Sequence, residues 1–273
     1  MPRSLPRVLA WSDLHGVDSH GISMIPHNDE LRRKGRVRMD ARTRIVSQTP
    51  VSTVGDGGGG LGHVPAHFAM STVIAKAKIV GMAAAVVRGS AHFRCGGVLH
   101  TDGRKRRSRR HGLHISFKHP GGADVRQAGA AWHRTLVVRG PSADGPARYG
   151  NDDARRGPYP QQRERVAPHP RRWLVGGEGR PSNDPLVAKE KGGFLTSLGG
   201  TPENSSYKGY GLTVMVNILA SCLSGATLIT DPEHTMKTAG MDIGHFFMAI
   251  DPAIFRGGRR GDISRSSQGN ATG

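Results

Sequence analysis

Two short stretches carry side chains able to move a proton. Ser90-Ala91-His92-Phe93 follows directly on an apolar run, Met82 to Arg88. A histidine at the end of a buried strand is held rigidly, and its imidazole titrates near neutrality, so His92 is a candidate general acid or base. The competing reading is a structural histidine that closes the strand. The stretch from Asp13 to Gly21, DLHGVDSHG, gathers His15, Asp18, Ser19 and His20 within six positions. Such a set can ligate a metal, but carboxylate, hydroxyl and imidazole in a glycine-containing turn serve equally as capping groups, and no metal is assigned. Lys208 precedes Gly209, Tyr210 and Gly211. An ammonium at a helix start favours an anion; a solvated lysine is the alternative.

The elements that must position these groups are legible on either side of a centre that has none. Ala66 to Val80 has the spacing of an amphipathic helix, and Met82 to Ser90 that of a short buried strand. The glycine-rich run GDGGGGLGH, Gly55 to His63, lacks the Lys-Ser/Thr of a phosphate-binding loop and does not read as a strand-to-helix fingerprint, so it is taken as a flexible turn. GRPSNDP, Gly179 to Pro185, reads as a turn. A helix is expected from near Gly209 to Gly225, and a strand over GHFFMAIDP, Gly244 to Pro252. The most apolar run, Leu212 to Leu223, is too short and too polar to span a bilayer, and the first eleven residues do not make a secretory signal.

With 273 residues, 39 of them glycine, and only 36% hydrophobic side chains, the chain is loose for an enzyme of its length. Its formal charge is +18, a value that ordinarily points to nucleic acid or an acidic membrane. The charge is concentrated, however. Between His100 and Arg172 there are 17 Lys and Arg against 6 Asp and Glu, so this quarter carries +11 of the total. The run TDGRKRRSRRH, Thr101 to His111, has no interleaved aromatic to stack on bases, and nucleic acid is not the expected partner. Composition alone would call this middle stretch disordered. Cys95 and Cys222 give neither metal-ligand spacing nor a disulfide framework, which suits a reducing, cytoplasmic setting.

Taken in order, VDSHGI, GGGGLGH, SAHF, GRPSNDP, YKGYGL and IGHFFMAIDP resemble the malate/L-lactate dehydrogenase family, the non-Rossmann NAD(P)-dependent 2-hydroxyacid oxidoreductases. The resemblance covers roughly Asp13 to Gly97 and Trp173 to Phe255. It implies an α/β fold, a mixed sheet with flanking helices, and an obligate homodimer. It further implies hydride transfer between a 2-hydroxy acid and NAD or NADP, with His92 as proton acceptor. Ser19 and His20 would lie on the substrate side, and Lys208, Gly209, Tyr210 and Gly211 would form part of the cofactor and active-site cleft.

The chain departs from the family pattern in several places. Where the family has an arginine and a tyrosine suited to a substrate carboxylate, four and eight residues after the SHG histidine, Met24 and Asn28 stand here; Arg94 replaces the glycine of HFG. Residues 98–172, the position of the cofactor-binding domain between an N-terminal part (1–97) and a C-terminal part (173–273), show none of the family's motifs. The genetic code offers a reason. Tryptophan has one codon and histidine only two, so reading Ala131-Trp132-His133-Arg134-Thr135-Leu136 one nucleotide out of step forces a glycine. The same frame permits Leu-Gly-Thr-x-Pro and then Ser-Phe-Ala-Ala-Pro, two adjacent family motifs in order. Applied to Asp102 to Gly112, it turns CGN arginine codons into alanines of a good helix. The expectation is a dehydrogenase impaired by an out-of-frame middle, with an inactive remnant or a basic nucleic-acid binder as alternatives. The tail after Phe255 is also atypical.

Overall fold

The computed structural model describes residues 4–14, 16, 20–93, 113–118, 135–140, 147–150, 174–176, 179–182, 194–196, 200, 202–227 and 241–255.

A seven-stranded sheet carries the fold. In chain order its strands are β1 (Arg44–Gln48), β2 (Ser52–Gly60), β3 (Met82–Ser90), β4 (Leu113–Lys118), β5 (Thr135–Gly140), β6 (Ala147–Gly150) and β10 (His245–Ile250). Their spatial order is β1-β2-β3-β10-β4-β5-β6. Only β2 and β3 are parallel, because the helix α3 (His63–Val80) crosses between them; every other neighbouring pair is antiparallel. The sheet is therefore mixed. A small three-stranded sheet joins β7 (Leu174–Val175), β8 (Pro181–Ser182) and β9 (Phe194–Leu195). Three helices complete the described elements used below: α1 (Ser4–Leu14), α2 (Ile25–Arg33) and α4 (Ser206–Asn217), which runs into a π-helical turn, Ile218–Cys222.

Strand alternation divides the core between the two faces of the sheet. Ala83, Ala85 and Val87 of β3 and Phe247 and Ala249 of β10 pack against Ala66, Ala69, Met70, Val73 and Ala77 of α3. These α3 residues recur at helical spacing on one stripe. On the opposite face, Val86 and Phe246 pack against Val216 of α4 and Ala220 of the π turn. A third cluster joins Leu5 and Leu9 of α1 to Met24, Val37, Leu61 and Ala91. The α3 helix ends at Gly81, whose φ of +89° lets its N–H reach back to the Ala77 carbonyl. No described helix is long and apolar enough to cross a membrane.

Three sequence expectations are corrected. GDGGGGLGH is not a flexible turn: it is most of β2 followed by the first residue of α3, in a strand-to-helix arrangement. Its glycines are used for close approach, since a Cβ at Gly57 would lie 2.9 Å from the Gly89 carbonyl oxygen and one at Gly60 2.6 Å from the Ala41 Cβ. The second helix begins at Ser206, not near Gly209, so the YKGYG segment is helical. There the glycines had suggested a start, whereas the chain enters through a 3-10 turn, Pro202–Asn204, and a left-handed Ser205 at φ 59°. Finally, GRPSNDP is not a turn throughout: the Gly179 N–H bonds to the Gly176 carbonyl and the Gly176 N–H to the Arg180 carbonyl, while Pro181–Ser182 form β8. Residues 183–185 fall outside the described set.

An ion pair ties the outer edge of the sheet. Arg44 and Asp56 face each other across β1 and β2, with Nη2 3.0 Å from Oδ2, and Asp56 Oδ1 accepts the Gly58 N–H at 2.8 Å. Partial burial pushes the Asp56 carboxyl up, but the Gly58 bond and the Arg44 guanidinium outweigh it and hold it below the usual carboxylate range. A lowered folded-state value means that the stabilisation is complete above the unfolded value and lost as pH falls through the folded one. Asp56→Asn is therefore expected to lower stability by about 1 kcal/mol near neutrality. Urea unfolding of the two proteins should begin to converge as the pH falls below about 4, the ordinary carboxylate value, and coincide once it is below the lowered folded-state value; a gap that does not narrow over that range refutes the assignment.

Candidate active site

His92 is presented between two anchors. Ala91, on one side, is 3% exposed and belongs to the cluster with Leu61 and Met24. On the other side Phe93 is fully buried, packed with α3 and edge-on to His245 at a 5.0 Å centroid distance. Consecutive residues rooted in two different cores leave the half-buried His92 little backbone freedom. The Ala91 N–H also donates to the Gly60 carbonyl at 3.0 Å. Gly62 makes this approach possible, because a Cβ there would stand 1.8 Å from the Ala91 oxygen.

Across from His92 lies His20, 5% exposed, with ring centroids 5.4 Å apart and planes inclined by 43°. Its backbone is fixed by Asp13 at the end of α1, whose Oδ2 accepts the Ile22 N–H at 2.9 Å. The SHG glycine has a steric purpose: a Cβ on Gly21 would fall 1.5 Å from Asp13 Oδ1. Two imidazolium charges at this separation repel by about 3 kcal/mol at an effective dielectric constant of about 20.

The remaining predicted residues are distributed differently. Ser19, with His15 and Asp18, lies outside the described residues. Lys208 and Tyr210 are exposed in the first turns of α4, Gly209 is buried, and Gly211 has nothing within 4 Å of a built Cβ. Their helix packs on the face of the sheet opposite α3. Met24 is 2% exposed within an apolar cluster, and Asn28 is buried, so the first of these positions offers nothing to a substrate carboxylate. The glycine-rich end of β2 is no pyrophosphate cradle, since its Cβ faces at Gly57, Gly60 and Gly62 are filled by neighbouring protein atoms. An exposed Lys208 in the first turn of a helix does suit an anionic group of a cofactor.

Sequence reasoning missed Asp13, Ser90, Asp242 and His245 as supports of this site. His245 carried a usable signal. It shares the parity of Phe247 and Ala249 on β10, and a lone polar residue on the buried side of an apolar strand needs a partner.

Comparison with known proteins agrees with this geometry. A family model described as malate/L-lactate dehydrogenase matches residues 3–102 and 154–265. A malate dehydrogenase of Pyrococcus horikoshii is 29% identical over 252 residues, 89% of this chain and 68% of the relative. A (2R)-3-sulfolactate dehydrogenase (NADP(+)) of Chromohalobacter salexigens is 28% identical over 270 residues, 92% of this chain and 74% of the relative. Among solved structures, malate dehydrogenase from Entamoeba histolytica superposes with a TM-score of 0.81 at 26% identity, covering 99% of this chain and 78% of that one. The mixed sheet, the facing histidines and a family match over well more than half of the sequence lead to one conclusion: the chain belongs to the malate/L-lactate dehydrogenase family.

Proposed function

We propose that the chain interconverts a 2-hydroxy acid and the corresponding 2-oxo acid with NAD or NADP, using His92 as the base. The observation that carries this reading is the His92 ring, immobilised between buried neighbours and facing a second imidazole. On oxidation His92 takes the hydroxyl proton, and on reduction it returns it. His20 and Ser19 hold the substrate side. When bound, NAD or NADP supplies the hydride-accepting ring. Lys208, Gly209, Tyr210 and Gly211 would border it, with the ammonium attracting its negative charge.

The activity is impaired because residues 98–172, where the cofactor-binding part belongs, are read out of frame. The family match leaves out residues 103–153, which supports this for that stretch, whereas residues 98–102 and 154–172 lie inside the match. A second copy of the chain is the expected partner in a cytoplasmic homodimer. The exposed apolar residues Tyr207, Tyr210, Leu212 and Ile218 on α4 and the π turn support it.

Nicotinamide absorbance, followed with malate, lactate and 3-sulfolactate against NAD and NADP, tests the reading. Slow but saturable turnover with an elevated cofactor KM is expected. No turnover with any pair identifies an inactive remnant instead. Sequencing the encoding DNA tests the frame separately: codons from Leu99 to Arg172 that yield no dehydrogenase motif in the displaced frame refute it.

A further inference from the structure

We propose that His245, acting with Ser90, is a positioning residue that sets the orientation of His92; the inference rests on His92 being the base. Three consecutive residues before His92 are each bonded to the segment leading into β10. Asp242 Oδ1 accepts the Gly89 N–H at 2.6 Å, and the Ile243 N–H donates to the Ser90 carbonyl at 2.7 Å. His245 Nε2 lies 2.7 Å from Ser90 Oγ and 3.2 Å from the Ala91 carbonyl oxygen. The other carboxylate oxygen of Asp242 accepts the Thr227 N–H at 2.8 Å and its hydroxyl at 2.9 Å, fastening the clasp to the end of the helix beyond α4.

The tautomer follows from counting protons. Ser90 has one hydroxyl hydrogen, and its Oγ is 3.0 Å from the Ala91 oxygen, which can only accept. If Ser90 gave that hydrogen to His245, two lone pairs would meet where Nε2 approaches Ala91. The arrangement in which every contact is a hydrogen bond has Ser90 donating to Ala91 and the His245 Nε2–H donating to Ser90, shared with Ala91. His245 is therefore held with its proton on Nε2. Being fully buried, it has no water to replace these partners.

The Ala91 carbonyl and the His92 N–H belong to one rigid peptide plane. Two donors on that carbonyl fix the plane, and with it the direction in which His92 leaves the chain. Rotating the plane by about 15° moves the imidazole by about 1 Å, and misplacement on that scale can lower a rate about 100-fold. No other side-chain bond among those described reaches this carbonyl. The 5.4 Å approach of His92 to His20 thus depends on a fully buried histidine.

The test uses the full chain with Ser90→Ala, Ser90→Thr, His245→Leu and His245→Gln, read by side-chain imidazole nitrogen NMR without substrate and by kcat with KM. The expected results are a protonated Nε2 and bare Nδ1 on His245, and displaced His92 ring signals in Ser90→Ala and His245→Leu. kcat should fall about 10- to 100-fold in these two with KM within about threefold. Ser90→Thr and His245→Gln, which keep a donor, should restore both. An Nδ1–H tautomer in the unaltered chain overturns the proposal even if a variant fails to fold. So do unchanged His92 signals in Ser90→Ala. If His92→Asn retains kcat while Ser90→Ala still displaces the His92 signals, the base assignment fails and the positioning role stands.

Discussion

Replacing His92 with asparagine is expected to lower kcat for 2-hydroxyacid oxidation by about 100- to 10,000-fold, the range that a positioned acid or base contributes. The fold should tolerate the change. His92 is half-buried, whereas the anchors Ala91 and Phe93 remain in their cores. The expected thermal midpoint is close to that of the unaltered chain, so lost activity would report on chemistry. In oxidation the base must be neutral to take the hydroxyl proton, and in reduction it must carry the proton that it returns. His20→Asn is the comparison that assigns the roles. With His20 on the substrate side, its loss should raise KM and lower kcat less than His92→Asn does. Full kcat in His92→Asn together with a collapse in His20→Asn would move the base to His20 and sink the assignment made here.

How much of this was legible in the sequence varies with the physical origin of each feature. Helix α3 and strands β3 and β10 were readable because their apolar residues repeat at the period of the element. His92 was readable because it stands where such a strand stops. Strand β2 was not, since STVGDGGGG has almost no side chains from which to read alternation. Its strand character comes from neighbours: β1 and β3 pair with its backbone, and its glycines admit them. Position 245 illustrates another limit. The sequence shows a histidine beside two phenylalanines, but nothing local says that residue 90, 155 positions away, supplies its partner. Between 98 and 172 no periodicity is present, yet strands β4, β5 and β6 run there and complete the sheet beyond β10. Pairing with β10 is a backbone matter, which composition does not encode.

Gly62→Ala should be as damaging as any change outside the two histidines, although neither sequence nor backbone angle warns of it. Gly62 has φ −59° and ψ −25°, a conformation alanine adopts freely, and it precedes a helix. The obstacle is space. Its Cβ would stand 1.8 Å from the Ala91 oxygen and 2.6 Å from both His92 C and Phe93 N, all backbone atoms that no rotamer change can withdraw. Because Ala91 and Phe93 are rooted in separate cores, relief requires moving either that backbone or the start of α3. Overpacking of this kind costs about 1–3 kcal/mol, and the first escape route also turns His92 away from His20. The expected result is a thermal midpoint lowered by several degrees and kcat reduced at least about 100-fold. Gly211→Ala is the contrasting case. It is helical, with nothing within 4 Å of the new Cβ, so it should raise stability by about 0.5–1 kcal/mol. Its effect on turnover then tests the proposal that Gly211 borders the cofactor. Equal behaviour of the two alanine variants would mean that residues 91–93 do not press on Gly62 in solution, and the account of how His92 is held would have to be abandoned.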